Sequence, residues 1–210
     1  MNLPSSASPA RRILAAGAVG VALVAAGCGS SSSGSPSSGG GGSTAKSPNP
    51  NAPETSPAGD IPDNQAYVRY APPQGGYSVK VPEGWARSTA NGATTFTDKL
   101  NSITMQTRPA VAAPTIKRAG REISTLAKST RGFHAGAVTT VKRRAGSAIR
   151  ITYTAAGRPN AVTGKAVTDA VERYVFFHNG KDVILTLSGP KGADNVDPWR
   201  IVTDSVAWPA

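Results

Sequence analysis

Alternating apolar and polar positions predict a series of short β-strands in the C-terminal two thirds of the chain. The pattern is clearest over residues 76–81, where Tyr77, Val79 and Val81 fall on one face. A turn is expected directly afterwards, because Pro82 and Gly84 interrupt regular structure. Similar runs predict further strands at residues 67–70, 94–97, 103–107, 137–144, 147–155, 168–177 and 182–187.

Two segments have the spacing of amphipathic helices. Residues 114–128 begin with Pro114, which suits a first helical turn. Apolar residues recur every three or four positions and form one face of the predicted helix. The apolar positions are Ile116, Gly120, Ile123 and Ala127. The opposite face is basic, with Lys117, Arg118, Arg121 and Lys128. Near the C-terminus, Asp197 followed by Pro198 predicts a helix cap and a helix through about residue 205.

The order of these elements predicts the fold class. Strands, a helix, more strands and a closing helix indicate an α+β fold, in which helices cover an antiparallel β-sheet. Asn179 and Gly180 lie between two strand-like runs and predict a tight hairpin. A second hairpin is expected around Ala145 and Gly146.

The first 27 residues have the three zones of a bacterial export signal. Arg11 and Arg12 close a short polar region, an apolar run of 14 residues follows, and small residues precede Cys28. This run is shorter than the roughly 20 residues of a permanent membrane-spanning helix. Residues 24–28 resemble the bacterial lipobox, which implies that Cys28 is acylated and begins the mature protein. The paired arginines leave both the general and the twin-arginine export routes open.

Residues 28–64 are predicted to be a flexible tether. They are rich in serine and glycine, then in proline and asparagine, and such segments bury too little apolar area to offset the entropy of ordering. A flexible chain of this length has an r.m.s. reach of roughly 30–35 Å. We therefore predict three parts: a signal peptide (1–27), a lipidated tether (28–64) and a folded domain (65–210). The domain is expected at the extracytoplasmic face of the cell membrane.

The charge of the chain is strongly basic. The formal net charge is +11, and removal of Arg11 and Arg12 with the signal peptide leaves +9. The densest basic run is Lys142, Arg143 and Arg144, which we predict to contact an anionic surface. A solvated strand end would have the same composition. For an exported protein, anionic lipid headgroups or wall polymers are the expected neighbours rather than nucleic acid.

The folded part resembles the PsbP-like superfamily. The resemblance lies in the run from Gly76 to Val79, in Pro82-Glu83-Gly84-Trp85, and in a closing Trp199 with Ser205-Val206-Ala207-Trp208. The superfamily includes the photosystem II extrinsic protein and actinobacterial lipoproteins of the LpqN type. The resemblance covers about residues 66–210 and rests on structural motifs. It implies a non-catalytic domain that binds proteins or envelope components, with no binding residue carried over.

The residues with reactive side chains do not combine into a catalytic pattern. Ser43 and Lys46 match the Ser-x-x-Lys of penicillin-binding enzymes, but they lie in the predicted tether and no Lys-Thr-Gly follows. His134 and His178 are too few for a zinc site once Cys28 is acylated. Three oxygen-bearing side chains lie close together in the sequence: Asp194, Asn195 and Asp197. Calcium sites use such ligands, but the spacing of an EF-hand is missing, and a helix cap at Asp197 explains the cluster more simply. We predict no catalytic residue, no metal and no cofactor.

Three functions therefore stay open from the sequence. The first is a non-catalytic adaptor that is anchored in the membrane through Cys28 and binds an envelope protein. The second is a carrier of a small apolar or lipid ligand in a groove between helix and sheet. The third is an enzyme, which the lack of clustered reactive side chains disfavours. A large apolar cavity would favour the carrier, whereas a solid core with an exposed apolar or basic patch would favour the adaptor.

Overall fold

A seven-stranded antiparallel β-sheet organises the protein. The computed structural model describes residues 59–73, 75–159 and 164–209, so the predicted signal peptide, Cys28 and most of the predicted tether lie outside it. The strands of the described part are β1 (Tyr67–Tyr70), β2 (Val79–Pro82), β3 (Ala86–Ala90), β4 (Ala93–Asp98), β5 (Asn101–Pro109), β6 (His134–Arg143), β7 (Gly146–Pro159), β8 (Ala166–His178) and β9 (Lys181–Pro190). The helices are α1 (Ile116–Ser129) and α2 (Val196–Asp204).

The order of the strands in the large sheet is β3-β4-β5-β9-β8-β7-β6. All neighbouring pairs are antiparallel, and β1 and β2 form a separate antiparallel ribbon. Strands that are consecutive in the large sheet are also consecutive in the chain, with one exception. Strand β5 lies beside β9 instead of β6, and there Pro109 pairs with Lys181. The predicted α+β class, an antiparallel sheet covered by helices, is confirmed.

The larger hydrophobic core lies on the sheet face that α2 and the β1–β2 ribbon cover. Trp199 and Val202 of α2 pack there with Val79 and Val81 of the ribbon. The central strands contribute large side chains that are almost completely buried: Ile103, Met105, Tyr174, Phe176, Leu185 and Leu187. Alternation along these strands directs this set of apolar residues to one face of the sheet.

A smaller hydrophobic core lies on the opposite face, under α1. Ala119 of α1 is buried against Ile151 and Tyr153 of β7. Phe133, in the turn after the helix, packs on Tyr153 with ring centroids 5.0 Å apart. Helix α1 packs mainly over β6 and β7, and its ion pairs reach β5, β8 and β9.

The two central hairpins follow from their turn residues. Asn179 and Gly180 have φ values of 45° and 72°, which a two-residue turn between β8 and β9 requires, so this predicted hairpin is confirmed. In the other hairpin, Arg143 pairs with Gly146, which places Arg144 and Ala145 in the turn. The turn is thus one residue earlier than the prediction around Ala145 and Gly146.

Both helices begin slightly away from their predicted caps. Helix α1 starts after Thr115, whose hydroxyl accepts a hydrogen bond from the Arg118 amide at 3.1 Å, so Pro114 precedes the cap. Helix α2 starts after Asn195, two residues before the predicted cap, and Asp197 lies in its first turn. The Asn195 side chain does not cap the helix because it binds the N-terminal segment instead.

Two residues of the segment before residue 65, Gly59 and Ile61, contact the domain. Ile61 is only 4% exposed and belongs to the larger core. Its amide donates to Asn195 Oδ1 at 2.9 Å, and the Gly59 carbonyl accepts from the side-chain amides of Asn101 (2.9 Å) and Asn195 (3.0 Å). The composition of residues 59–64 is typical of a tether, but one buried isoleucine and two asparagines bind the segment to the domain.

Candidate functional site

A cleft of about 710 Å³ lies beside α1, where the helix meets strands β5 and β9. This volume is within the range of sites that bind small molecules. The charged side chains that line it are Arg108, Arg118, Arg121, Glu122, Arg173 and Asp182. Four positive charges therefore face two negative charges across the cleft. We call it the arginine cleft.

An ion-pair network holds three of these arginines in place. Arg108 donates to Glu122 Oε2 and to Asp182 Oδ2, both at 3.0 Å. Arg118 forms an ion pair with Asp182 Oδ2 as well. Arg173 donates to Glu122 Oε1 at 2.8 Å and to the Thr186 hydroxyl at 2.8 Å. The carboxylates thus connect α1 to three strands of the sheet.

Both carboxylates of the network are largely out of solvent. Burial alone would raise the pKa of Glu122, but the charge of Arg173 and the hydrogen bonds from Arg108 and Arg173 outweigh it and lower that pKa. Asp182 is 1% exposed, and its Oδ1 has no hydrogen-bond partner among the described residues. Glu122 is therefore ionised at neutral pH and serves to fix the arginines.

The chemistry that the arginine cleft offers is hydrogen-bond donation to anions. Guanidinium groups carry five N–H donors each and keep their proton at physiological pH, so they bind rather than transfer protons. The described ion pairs occupy only some of these donors on Arg108 and Arg118. Arg121 is exposed, and its side chain forms no ion pair or hydrogen bond within the described residues.

A second, mainly apolar groove of about 410 Å³ lies between α2 and strands β7 and β8. Trp199 and Val196 of α2 form one wall, and Thr154 and Ala170 of the strands form another. His134, at the start of β6, lies at the groove as well. This groove is where a carrier would hold an apolar ligand.

The side chains of the basic run 142–144 have two kinds of surroundings. Lys142 and Arg144 are exposed, whereas the Arg143 side chain is 14% exposed. Arg143 donates to the Thr203 hydroxyl at 2.9 Å and to the Tyr174 hydroxyl at 3.0 Å, and it pairs with Asp204 at 3.7 Å. Arg143 thus fastens α2 to the sheet, and contact of Lys142, Arg143 and Arg144 with an anionic surface stays a prediction.

The structure also places the residues that the sequence analysis considered as metal ligands. His178 stacks on Trp208, with ring centroids 4.5 Å apart. Asn195 is occupied by Gly59, Ile61 and Asn101. Across the described residues, no group of three or more His, Cys, Asp or Glu side chains is placed to hold a metal ion. Neither α1 nor α2 has the length and apolar character of a membrane-crossing helix.

Only some of the residues that line the arginine cleft could be recognised in the sequence. Arg118 and Arg121 belong to the basic face that helical spacing predicts for residues 114–128. Arg173 precedes the apolar run Tyr174-Val175-Phe176, and Asp182 opens the apolar run of β9. A charged residue at the margin of a buried strand is a sign of an internal ion pair, but it does not identify the partner.

Comparison with known proteins adds fold-level likenesses. No protein-family model matches the chain, and no curated protein matches it. Among similar solved structures, the Ran-binding protein Mog1p of Saccharomyces cerevisiae shares 12% identity at a TM-score of 0.46. The match covers 69% of this chain and 96% of that one.

Two further solved structures belong to the kinds of protein that the sequence resembles. PsbP (CyanoP) of Synechocystis has 15% identity, a TM-score of 0.49, and coverage of 69% of this chain and 94% of that one. LpqN of Mycobacterium tuberculosis, described as involved in cell envelope biogenesis, has 15% identity, a TM-score of 0.38, and coverage of 70% and 87%. At such identities and TM-scores, membership of the PsbP-like superfamily stays a prediction.

Proposed function

We propose that this chain is a non-catalytic binding module of the bacterial cell envelope. A lipid on Cys28 holds it at the extracytoplasmic face of the cell membrane, and the surface around α2 contacts an envelope protein. One observation carries the choice of surface. Val196 and Ile201 project from α2 with exposures of 72% and 44%, although Trp199 and Val202 on the inner side of the same helix are buried. The two residues lie beside different grooves, and Ile201 is the apolar residue of α2 that lies among basic side chains.

The charges around Ile201 indicate the chemistry of the partner. A groove beside it is lined by four basic side chains, namely Arg69, Lys80, Arg144 and Arg200. Only Asp197 and Asp204 oppose them. An apolar centre with a basic rim is complementary to a protein surface that has an apolar centre and an acidic rim. Arg144, from the basic run, would contribute to this rim.

The attachment of the N-terminal segment supports the same surface. Gly59 and Ile61 are bound by Asn195, the residue that precedes α2. The chain that leads back towards Cys28 therefore joins the domain at the beginning of the helix that carries Val196 and Ile201. This side of the domain is therefore within reach of a partner embedded in the same membrane.

The carrier of a small apolar or lipid ligand is the second candidate, and the apolar groove favours it. The groove has a mainly apolar lining and lies between α2 and strands β7 and β8. The main core of the domain, by contrast, is filled by buried Leu185, Leu187 and Phe176. A carrier function would therefore use the groove beside α2 and leave the core undisturbed.

A site-specific photo-crosslinker in living cells distinguishes the two candidates. The crosslinking amino acid is placed in the lipidated full chain at Ile201 for the α2 surface, at Thr154 for the apolar groove, and at Ser88 as a control on exposed β3. Proteins and lipids joined to the chain are identified by mass spectrometry. We expect one dominant protein adduct from position 201, little adduct from position 88, and loss of the adduct in a Cys28→Ala chain.

The other outcomes are equally informative. A lipid adduct confined to position 154, without a protein adduct at 201, would favour the carrier. Equal protein adducts from positions 88 and 201 would indicate random encounter and contradict the adaptor. An adduct at 201 that persists in Cys28→Ala cells would contradict the need for membrane anchoring.

A further inference from the structure

The arginine cleft is distinct from the surface proposed for the partner protein. It lies on the α1 face of the sheet, whereas α2 covers the other face. Its charges are unbalanced, because four arginines face two carboxylates. Surface arginines are normally scattered in solvent, whereas here three of them are fixed by carboxylates inside a single cleft.

The network prepares the cleft for a ligand before any ligand arrives. Glu122 and Asp182 hold Arg108, Arg118 and Arg173 in defined positions, so little further conformational entropy is lost when those arginines donate to a bound group. Arg121 adds a guanidinium that no described residue engages. Neutralisation by two arginines limits the repulsion that the Asp182 carboxylate would exert on an anion.

We propose that the arginine cleft binds a phosphate monoester, with Arg108, Arg118 and Arg121 donating to its oxygens. A phosphate monoester carries a charge of about −1.5 to −2 near neutral pH and three strong acceptor oxygens. That charge matches the excess of two positive charges in the lining. Arginine forks are suited to phosphate because they donate paired hydrogen bonds in a fixed plane. The cleft is large enough for a small molecule attached to the phosphate.

The same chemistry could come from a soluble phosphate ester or from a lipid headgroup, and two probes separate them. Glycerol 3-phosphate presents the phosphate monoester in solution. Phosphatidic acid in phosphatidylcholine vesicles presents the same group at a membrane surface. Binding of each is measured with the full chain carrying Cys28→Ala, at constant ionic strength, because salt screens non-specific attraction to a basic protein.

Arg121→Gln is the informative variant, since Arg121 holds no described ion pair and the network stays intact without it. Lys128→Gln is the matched control, because it removes one positive charge from the same helix outside the cleft lining. We expect Arg121→Gln to weaken binding about tenfold, the effect of losing a charge-assisted hydrogen bond. Lys128→Gln should change the Kd less than about twofold, as expected for a screened surface charge.

The outcomes assign the ligand or overturn the site. Saturable binding of glycerol 3-phosphate that Arg121→Gln weakens indicates a soluble ligand. Binding of phosphatidic acid vesicles alone, weakened in the same way, indicates a lipid headgroup. Equal weakening by Arg121→Gln and Lys128→Gln would mean diffuse surface attraction, and this result or the lack of saturable binding to either probe would overturn the proposal. The α2 crosslinks are a separate result, so either proposal can fail alone.

Discussion

Replacing Asn195 with leucine is expected to lower the free energy of unfolding by about 3 kcal/mol. Asn195 is 3% exposed and forms three hydrogen bonds: it accepts from the Ile61 amide and donates to the Gly59 carbonyl and to Asn101 Oδ1. Leucine has a similar size but leaves the buried Ile61 amide without a partner. An unsatisfied buried polar group costs roughly 1–3 kcal/mol, and the Asn101 amide oxygen would lose a donor as well.

Urea unfolding followed by tryptophan fluorescence measures this loss, because Trp199 lies in the larger core. Asn64→Leu is the matched control, since Asn64 is exposed and its replacement should change stability by less than about 0.5 kcal/mol. Limited proteolysis adds a local readout: Asn195→Leu should expose residues 59–61 to cleavage. A loss below about 1 kcal/mol would mean that water replaces Asn195 as the hydrogen-bond partner of residues 59–61. The burial of Ile61 alone would then hold this segment on the domain.

Arg173→Met is expected to cost about 3 kcal/mol at pH 7, at the low end for breaking a buried ion pair. Arg173 forms an ion pair with Glu122 and donates hydrogen bonds to Glu122 and Thr186, and both charged side chains are largely buried. Methionine fills much of the same volume but leaves the Glu122 carboxylate with Arg108 as its remaining ion-pair partner. Burial then raises the pKa of Glu122, which Arg173 had helped to lower.

The pH dependence separates lost charge from lost packing. A carboxyl whose pKa is lowered by folding contributes stability above its unfolded pKa, here about 4.5, and loses it as the pH falls through the folded value. The stability difference between the native chain and Arg173→Met should therefore shrink as the pH falls below about 4.5. Arg131→Met, at an exposed arginine, is the control and should stay within about 0.5 kcal/mol. A difference that does not vary with pH would point to packing.

Most of the sheet could be predicted because its strands are either alternating apolar and polar runs or, in β8 and β9, short continuous apolar runs. Strand β3 was missed for the opposite reason: its sequence, Ala-Arg-Ser-Thr-Ala, is exposed throughout at the sheet edge and has no large apolar residue. Turn residues located the β8–β9 hairpin, since Asn179 and Gly180 accept positive φ. The contact of residue 61 with the domain could not be predicted, because the Ile61 amide binds Asn195, which is distant in sequence.

The arginine cleft could not be predicted from the sequence, because its geometry depends on strand order. Arg108, Asp182 and Arg173 come from β5, β9 and β8, and β5 becomes the neighbour of β9 only in the folded sheet. No local sequence pattern predicts which strands pair when they are so far apart in the chain. The basic run 142–144 shows the opposite case, in which neighbours in the sequence are separated in the structure. Its three charges are adjacent in sequence, yet strand alternation and the turn direct them to different surroundings.

The junction of β5 with β9 also has a consequence for how quickly the chain can fold. Strands β3–β5 and β6–β9 form two meanders whose hairpins close over short distances, whereas the junction joins Pro109 to Lys181 across about 70 residues. Closing so large a loop is entropically costly before its contacts form, so we expect this step to limit the folding rate. In stopped-flow refolding, Met105→Ala at the junction should slow folding more than an equally destabilising change within the β6–β7 hairpin. The two meanders would then be early-forming units, and the native sheet would arise when they meet.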